Sequence, residues 1–243
     1  MKRHYLWGLT ALSVVALSGC ASLSADGGLD QVSHLTRERI AQPVAFQRDA
    51  AQTEIAQARV SELLKGPLSV DSAVEVALLS NRDLQAQLAN LGIAKADLVR
   101  AGRLRNPGFS FGRLSGNGVV EYDRTVMFDL LGLLTMPMAR QIEQQRFERA
   151  QLQAAQDAVT LAANTRRAYF NAVGAQEQLR YLQQVKETAD IANELAKRMA
   201  QVGNFNRLTQ MREQAFFADT TAQLARAQQQ ALADRERLTR LRS

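Results

Sequence analysis

From Ala139 to Val202 the sequence holds no proline and one internal glycine, Gly174. Ala, Gln, Leu, Glu and Arg dominate the stretch, and all are strong helix formers. At 1.5 Å per residue, about 64 helical residues make a rod of roughly 95 Å. A single globular domain of this size has no use for such a rod. Apolar residues recur at spacings of three and four, with slips, as in a coiled coil. Gly203-Asn204 ends the run. The sequence therefore predicts a long helix over 139–202 and a returning helix over 205–242.

A hairpin turning at Gly203 pairs residues whose numbers have a constant sum. Met199 then faces Leu208, Ala196 faces Met211, Ala192 faces Ala215, Ala189 faces Ala218, Val185 faces Ala222 and Leu182 faces Ala225. On this register Ser243 lies beside Asn164, so the long helix above that level needs another partner. A helix over 82–102 supplies one, with Leu98 beside Ile142 and Leu88 beside Leu152. Asn81 then reaches the level of Val159. Two short helices stacked end to end would cover one long helix, with a junction near 159–164.

Upstream, Leu68-Ser69-Val70-Asp71 reads as a helix start. Ser69 can cap, and Asp71 sits favourably in a first turn. A short helix over 69–79 breaks at Ser80-Asn81, and the next runs to Asn106-Pro107-Gly108, which terminates it. The period then changes to two. Strands are predicted over 109–114 and 119–130, joined by Ser115-Gly116-Asn117-Gly118. In the second strand Val120, Tyr122, Val126, Phe128 and Leu130 alternate with Glu121, Asp123, Thr125 and Asp129; Arg124 and Met127 break the pattern. One apolar and one polar face suits a membrane barrel. It also suits a hairpin on a soluble core, and periodicity alone leaves both open.

The N-terminus reads as an export signal. Lys2 and Arg3 precede an apolar run, Leu6–Leu17, too short to span a bilayer. Leu17-Ser18-Gly19-Cys20 follows and resembles a lipobox, making 1–19 a lipoprotein signal peptide and Cys20 the lipidated first residue. Ala21 fits an outer-membrane sorting pattern. Residues 20–67 read as an irregular, polar, lipidated tether ending at Gly66-Pro67, with a possible amphipathic helix over Arg48–Leu64. Cys20 is the only cysteine, so no intrachain disulfide or cysteine metal site can form. His4 in the leader and His34 in a polar, loop-like segment cannot build a zinc site.

The formal charge of +6 falls to +4 without Lys2 and Arg3. The arginines are interleaved with Glu, Asp and Gln along helical patterns, so a solvated surface explains them and nucleic acid is not expected. No Ser-His-Asp set, Gly-rich phosphate loop or metal cluster is present, so neither an enzyme nor a cofactor is expected. Asp157, Glu177 and Glu187 read as solvated charges.

The order of these features over residues 68–242 resembles the TolC-like outer-membrane factors of tripartite efflux systems. The features are Leu68–Ala73 opening a short helix, Asn106-Pro107, a two-strand hairpin, one very long helix, and a tip at Val202-Gly203-Asn204. The resemblance implies a mainly α fold: a long antiparallel coiled-coil hairpin, with a transmembrane β-hairpin contributing to an oligomeric barrel. Family members are trimers with twelve barrel strands and a periplasmic helical tunnel, each protomer contributing two tandem repeats. One repeat is present here, so twelve strands would take six copies or a second half. The family's gate residues come largely from the second repeat.

The resemblance also implies partners: a periplasmic adaptor, an inner-membrane pump and outer-membrane lipid. The tip positions carried over for adaptor contact are Arg198, Val202, Gly203, Asn204 and Leu208. The acidic residue often found after the turn is absent; Thr209-Gln210 stands there. The strand residues expected to face lipid are Val120, Tyr122, Val126, Phe128 and Leu130. The function implied is a passive exit duct for small molecules in the outer membrane. Two other readings stay open: a structural coiled-coil lipoprotein or truncated gene product, and a periplasmic adaptor. An adaptor would need strand-rich flanks on both sides of its helical hairpin.

Overall fold

The structure is a computed structural model describing residues 26–116 and 119–242. The signal peptide, Cys20, and the turn residues Asn117 and Gly118 lie outside them. The elements in order are α1 (Leu29–Ile40), α2 (Ala50–Leu63), α3 (Val70–Ser80), α4 (Arg82–Ala101), β1 (Gly108–Gly116), β2 (Val119–Met127), α5 (Leu130–Gln201) and α6 (Arg207–Arg240). The chain divides into two compact units. One comprises the described residues of Met1–Leu35 with Gln87–Ala155; the other comprises Thr36–Ala86 with the described residues of Gln156–Ser243.

In the first unit, Leu88, Leu91, Leu98, Phe147, Ala154 and Ala155 are buried, together with Val32 of α1. The chain before α1 is fastened at Gly28, whose carbonyl accepts a 3.1 Å hydrogen bond from Gln151 Nε2. Gly28 has φ +91°, and a Cβ there would come within 2.4 Å of Phe147 Cζ. Both facts require glycine. Lys95 Nζ lies 4.8 Å from the centroid of the same Phe147 ring. Ile142 and Leu152, expected to face α4, are exposed instead. The buried row runs through Phe147, Gln151 and Ala154.

The second unit is built around α3, the most thoroughly buried helix. Its Ala73, Val74, Val76, Ala77 and Leu78 are all buried. Ser69 caps it, with Oγ accepting from Ser72 N–H at 3.1 Å. Arg59 of α2 reaches Glu75 of α3 at 2.7 Å and Glu62 at 3.0 Å. Hydrogen bonding to Glu75 first, then to Glu62, raises the guanidinium above its ordinary range and keeps it charged. Gln47 and Gln85 clasp the chain before α2: Gln85 Oε1 accepts from Gln47 N–H at 3.0 Å, and Gln85 Nε2 donates to the Ala45 carbonyl at 3.0 Å.

The segment expected as an irregular tether thus carries two helices. Ile40 and Val44 are buried in the second unit. Ala41 turns left-handed at φ 59° to end α1. The orphan carbonyls of Arg39 and Ile40 accept from the Arg166 guanidinium at 3.3 and 3.2 Å. This meets the need for acceptor satisfaction at a helix end. His34, expected in a loop, is an exposed residue of α1.

Beyond Gly203 the chain returns as α6. From Ala172 onward the buried or half-buried positions on α5 are Ala172, Ala175, Leu179, Leu182, Val185, Lys186, Ala189, Ala192, Asn193, Ala196, Met199 and Ala200; on α6 they are Thr209, Gln210, Glu213, Phe217, Thr220, Leu224, Ala227, Ala231, Ala233, Asp234 and Leu238. Within each series one row recurs at alternating steps of three and four, Ala172 to Ala200 on α5 and Glu213 to Leu238 on α6, as a coiled-coil seam requires. Lys186 Nζ lies 5.2 Å over the Phe217 ring in this seam. The α5 side includes all six expected residues: Leu182, Ala189 and Ala196 are buried, and Val185, Ala192 and Met199 half-buried. The α6 side does not: Leu208, Met211, Ala215, Ala218, Ala222 and Ala225 are all exposed. They lie two residues out of phase, about 200° round the helix. The true seam contains Glu213, Thr220 and Asp234, which an apolar count passes over. Asp234 is satisfied there by Arg237 at 2.8 Å and Gln230 at 2.6 Å.

Candidate functional site

Two places hold the residues singled out from sequence. The first is the β-hairpin. β1 and β2 pair antiparallel, with Phe109 opposite Val126, Phe111 opposite Arg124, and Arg113 opposite Tyr122. Residues directly opposite share a face. One face therefore carries Phe109, Phe111, Val120, Tyr122 and Val126, interrupted by Arg113 and Arg124. The other carries Ser110, Gly112, Glu121, Asp123 and Thr125, with Leu114 and Met127 near its ends. Phe111 and Tyr122 stack with ring centroids 6.0 Å apart, and Arg113 lies 5.9 Å from the Tyr122 centroid. The apolar side chains are nonetheless open to solvent; Phe109 is 72% exposed and Val126 62%. Sequence reasoning placed this face on β2 alone. The pairing adds Phe109 and Phe111, whose alternation with Ser110 and Gly112 was the available signal.

The strand ends sooner than expected. β2 stops at Met127, so Phe128 lies in the link and Leu130 opens α5. Asp129, expected on the polar strand face, is the cap of that helix: its Oδ1 accepts from Gly132 N–H at 2.7 Å, and its carbonyl accepts from Leu133 N–H at 3.2 Å. This cap lets α5 begin nine residues before the expected 139. Pro137 withholds one donor inside the helix without ending it. Leu130, Leu131, Leu133, Leu134 and Met138 on these first turns are all exposed.

The second place is the turn between α5 and α6. Gly203 has φ +79°. Its N–H donates to the Ala200 carbonyl at 3.1 Å, and Asn204 N–H donates to that of Met199 at 2.9 Å. This pair of bonds is a Schellman motif, which closes the last carbonyls of α5. Asn206 caps α6, accepting from Thr209 N–H at 2.8 Å. Arg198 is engaged by Glu194 at 2.9 Å. Val202 and Leu208 stand 70% and 60% exposed on this tip. The turn thus brings Arg198, Val202, Gly203, Asn204 and Leu208 to one end of the hairpin.

Among the described residues no group of His, Cys, Asp and Glu could hold a metal ion, and no helix is long and apolar enough to cross a membrane. The latter leaves a β-barrel crossing untouched.

A two-stranded hairpin between helices, one of them very long, defines the fold of TolC-like outer-membrane factors. Residues 134–242 match the family model described as outer membrane efflux protein. Solved structures of similar fold include CusC, studied for the conformational changes that accompany folding and transmembrane channel formation. It aligns with a TM-score of 0.60 and 19% identity, over 71% of this chain and 43% of CusC. A membrane protein from Pseudomonas aeruginosa aligns at 0.59 and 18% identity, over 71% of this chain and 44% of the other. The CmeC outer membrane channel of Campylobacter jejuni aligns at 0.52 and 20% identity, over 72% and 41%. This chain thus spans less than half the length of each. No curated protein sequence matches it significantly.

Proposed function

We propose that the chain is the outer-membrane channel component of a tripartite efflux system, a passive exit duct for small molecules. The observation that carries this is the β-hairpin, apolar on one face, polar on the other, exposed on both and unpaired at both edges. An isolated hairpin of this kind is marginal in water. In a closed sheet across a bilayer its edges are paired, its apolar face meets lipid and its polar face meets a lumen. Val120, Tyr122 and Val126 are then lipid-facing, with Phe109 and Phe111 beside them. Arg113 and Arg124 extend their long stems along this face and keep their charge toward polar surroundings.

The helices support assembly. α5 and α6 share one seam within the chain, and each has a second apolar row on roughly the opposite side: Tyr181, Ile191, Leu195 and Val202 on α5, and Ala215, Ala218, Ala222 and Ala225 on α6. A helix apolar on two opposite sides has neighbours on both. Rows of such helices leave no bare side only when they close into a ring, which is the wall of a tunnel. The oligomer is a trimer of a two-repeat form or six copies of this repeat. Adaptor contact is assigned to the exposed tip, and the pump acts through the adaptor. Cys20 anchors the chain by lipid in the outer membrane; a mature mass lacking acyl chains would remove that assignment.

Neighbouring residues on opposite faces of β1 test the channel. At mid-bilayer an arginine on the lipid face costs about 2–4 kcal/mol, and little on the lumen face. Phe111→Arg sets a second arginine directly opposite Arg124, leaving two adjacent like charges on the lipid face, and should abolish membrane-assembled oligomer while Ser110→Arg preserves it, measured in whole protein with any second repeat supplied. Equal assembly of the two variants overturns the channel reading.

A further inference from the structure

At the base of the hairpin lies a cleft of about 540 Å³, lined by Arg100, Arg103, Leu104 and Arg105 on one side and by Leu131 and Met136 of α5 on the other. Three arginines fall within six residues. Their known partners are weak: Arg100 meets Asp97 at 3.2 Å and Arg105 meets Asp129 at 3.9 Å, both pairs open to water. Arg103 is also engaged. The C-terminal end of α4 offers about half a negative charge, which accounts for one cation and not three. Asp129 is the only acid lining the cleft, and its Oδ1 is taken up by Gly132 N–H. The lining is therefore net positive.

Beside this charge runs an apolar strip. Leu130, Leu134 and Met138 recur every four residues on one side of α5 and are 68–78% exposed. Cation and exposed hydrocarbon stand together where the strands end. A nine-residue strand tilted about 40° rises roughly 23 Å, close to the apolar band of a membrane barrel at about 25 Å. If the hairpin crosses the membrane, its base lies at the level of the inner-leaflet headgroups.

Resting on that channel reading, we propose that the cleft binds the phosphate headgroup of an anionic phospholipid, with an acyl chain lying along Leu130, Leu134 and Met138. The arginine forks match phosphate oxygens, and the leucines cover the chain that a free phosphate lacks.

The test uses the full chain, extracted in mild detergent and examined by native mass spectrometry with added phosphatidylglycerol or phosphatidylcholine. Phosphatidylglycerol should be retained in preference. Arg103→Gln with Arg105→Gln should lower its retention about tenfold or more, from the loss of two cations near the headgroup. Arg103→Lys with Arg105→Lys keeps the charge and should retain most of it, and Arg226→Gln, on exposed α6, should change nothing. Equal retention of both lipids, or no loss in the glutamine double variant with unaltered helical circular dichroism, overturns the lipid site. Displacement by equimolar inorganic phosphate overturns it in favour of a simple anion site. Failure of the unsubstituted protein to assemble in membranes sinks the channel reading instead, which separates the two failures.

Discussion

The side-chain amide of Asn81 donates a 3.0 Å hydrogen bond to the carbonyl oxygen of Leu241, 160 residues further on. Its Oδ1 accepts from Leu84 N–H at 2.9 Å. One side chain thus caps the start of α4 and satisfies the end of α6. Asn81→Ala removes both bonds and should destabilise the second unit by about 1–3 kcal/mol in chemical denaturation. Asn81→Asp keeps the cap and loses the donor, so it should fall between the two. An Asn81→Ala midpoint equal to that of the parent would show the junction to be incidental.

Gly28→Ala should cost about 1–3 kcal/mol, because φ +91° is strained for alanine and the new methyl meets Phe147. Loss of near-ultraviolet circular dichroism from the Phe147 environment, at unchanged helix content, is the expected signature. A fully parental melting curve would contradict the anchor.

The two rows on α6 separate folding from assembly. Ala227 is 8% exposed in the seam with α5, and arginine there should cost at least about 2 kcal/mol of chain stability. Ala218 is exposed, so Ala218→Arg should leave the melting temperature within the spread expected of about 0.5 kcal/mol while lowering the oligomer yield. The reverse pattern would mean that the seams are assigned the wrong way round.

At the tip, Gly203→Ala meets no steric neighbour but must hold φ +79°, a penalty of about 1 kcal/mol, and Gly203→Asn should recover part of it. Hydrogen exchange at Val202–Asn204 would report the fraying. Val202→Asp should leave stability unchanged and reduce adaptor capture. Undiminished capture would remove Val202 from the contact.

The long helix and the paired strands were legible because each depends on local pattern: a run without breakers, and a period of two bounded by glycine. The seam phase on α6 was not. Alanines occupy several faces of that helix, and the seam includes Glu213, Thr220 and Asp234, whose polarity is compensated only in three dimensions. Asp129 stood in phase with the polar strand residues, so its role as a cap was hidden behind the alternation. α1 depends on Arg166, whose guanidinium arrives from over a hundred residues away at the carbonyls of Arg39 and Ile40. The apolar face of the hairpin was read from β2; Phe109 and Phe111 alternate visibly with Ser110 and Gly112, but that they join that face came only with the register.

The second unit is assembled from two stretches, Thr36–Ala86 and Gln156–Ser243, with the whole hairpin strung between them. A vectorially delivered chain therefore presents α2 and α3 long before the second stretch of their unit has emerged. Closing so large a loop carries an entropic penalty that no early contact offsets. Folding of this unit is consequently a late event in synthesis. Until the second stretch is delivered this unit is incomplete, which makes nascent chains stalled before residue 241 the form most prone to aggregation and most in need of a holding chaperone.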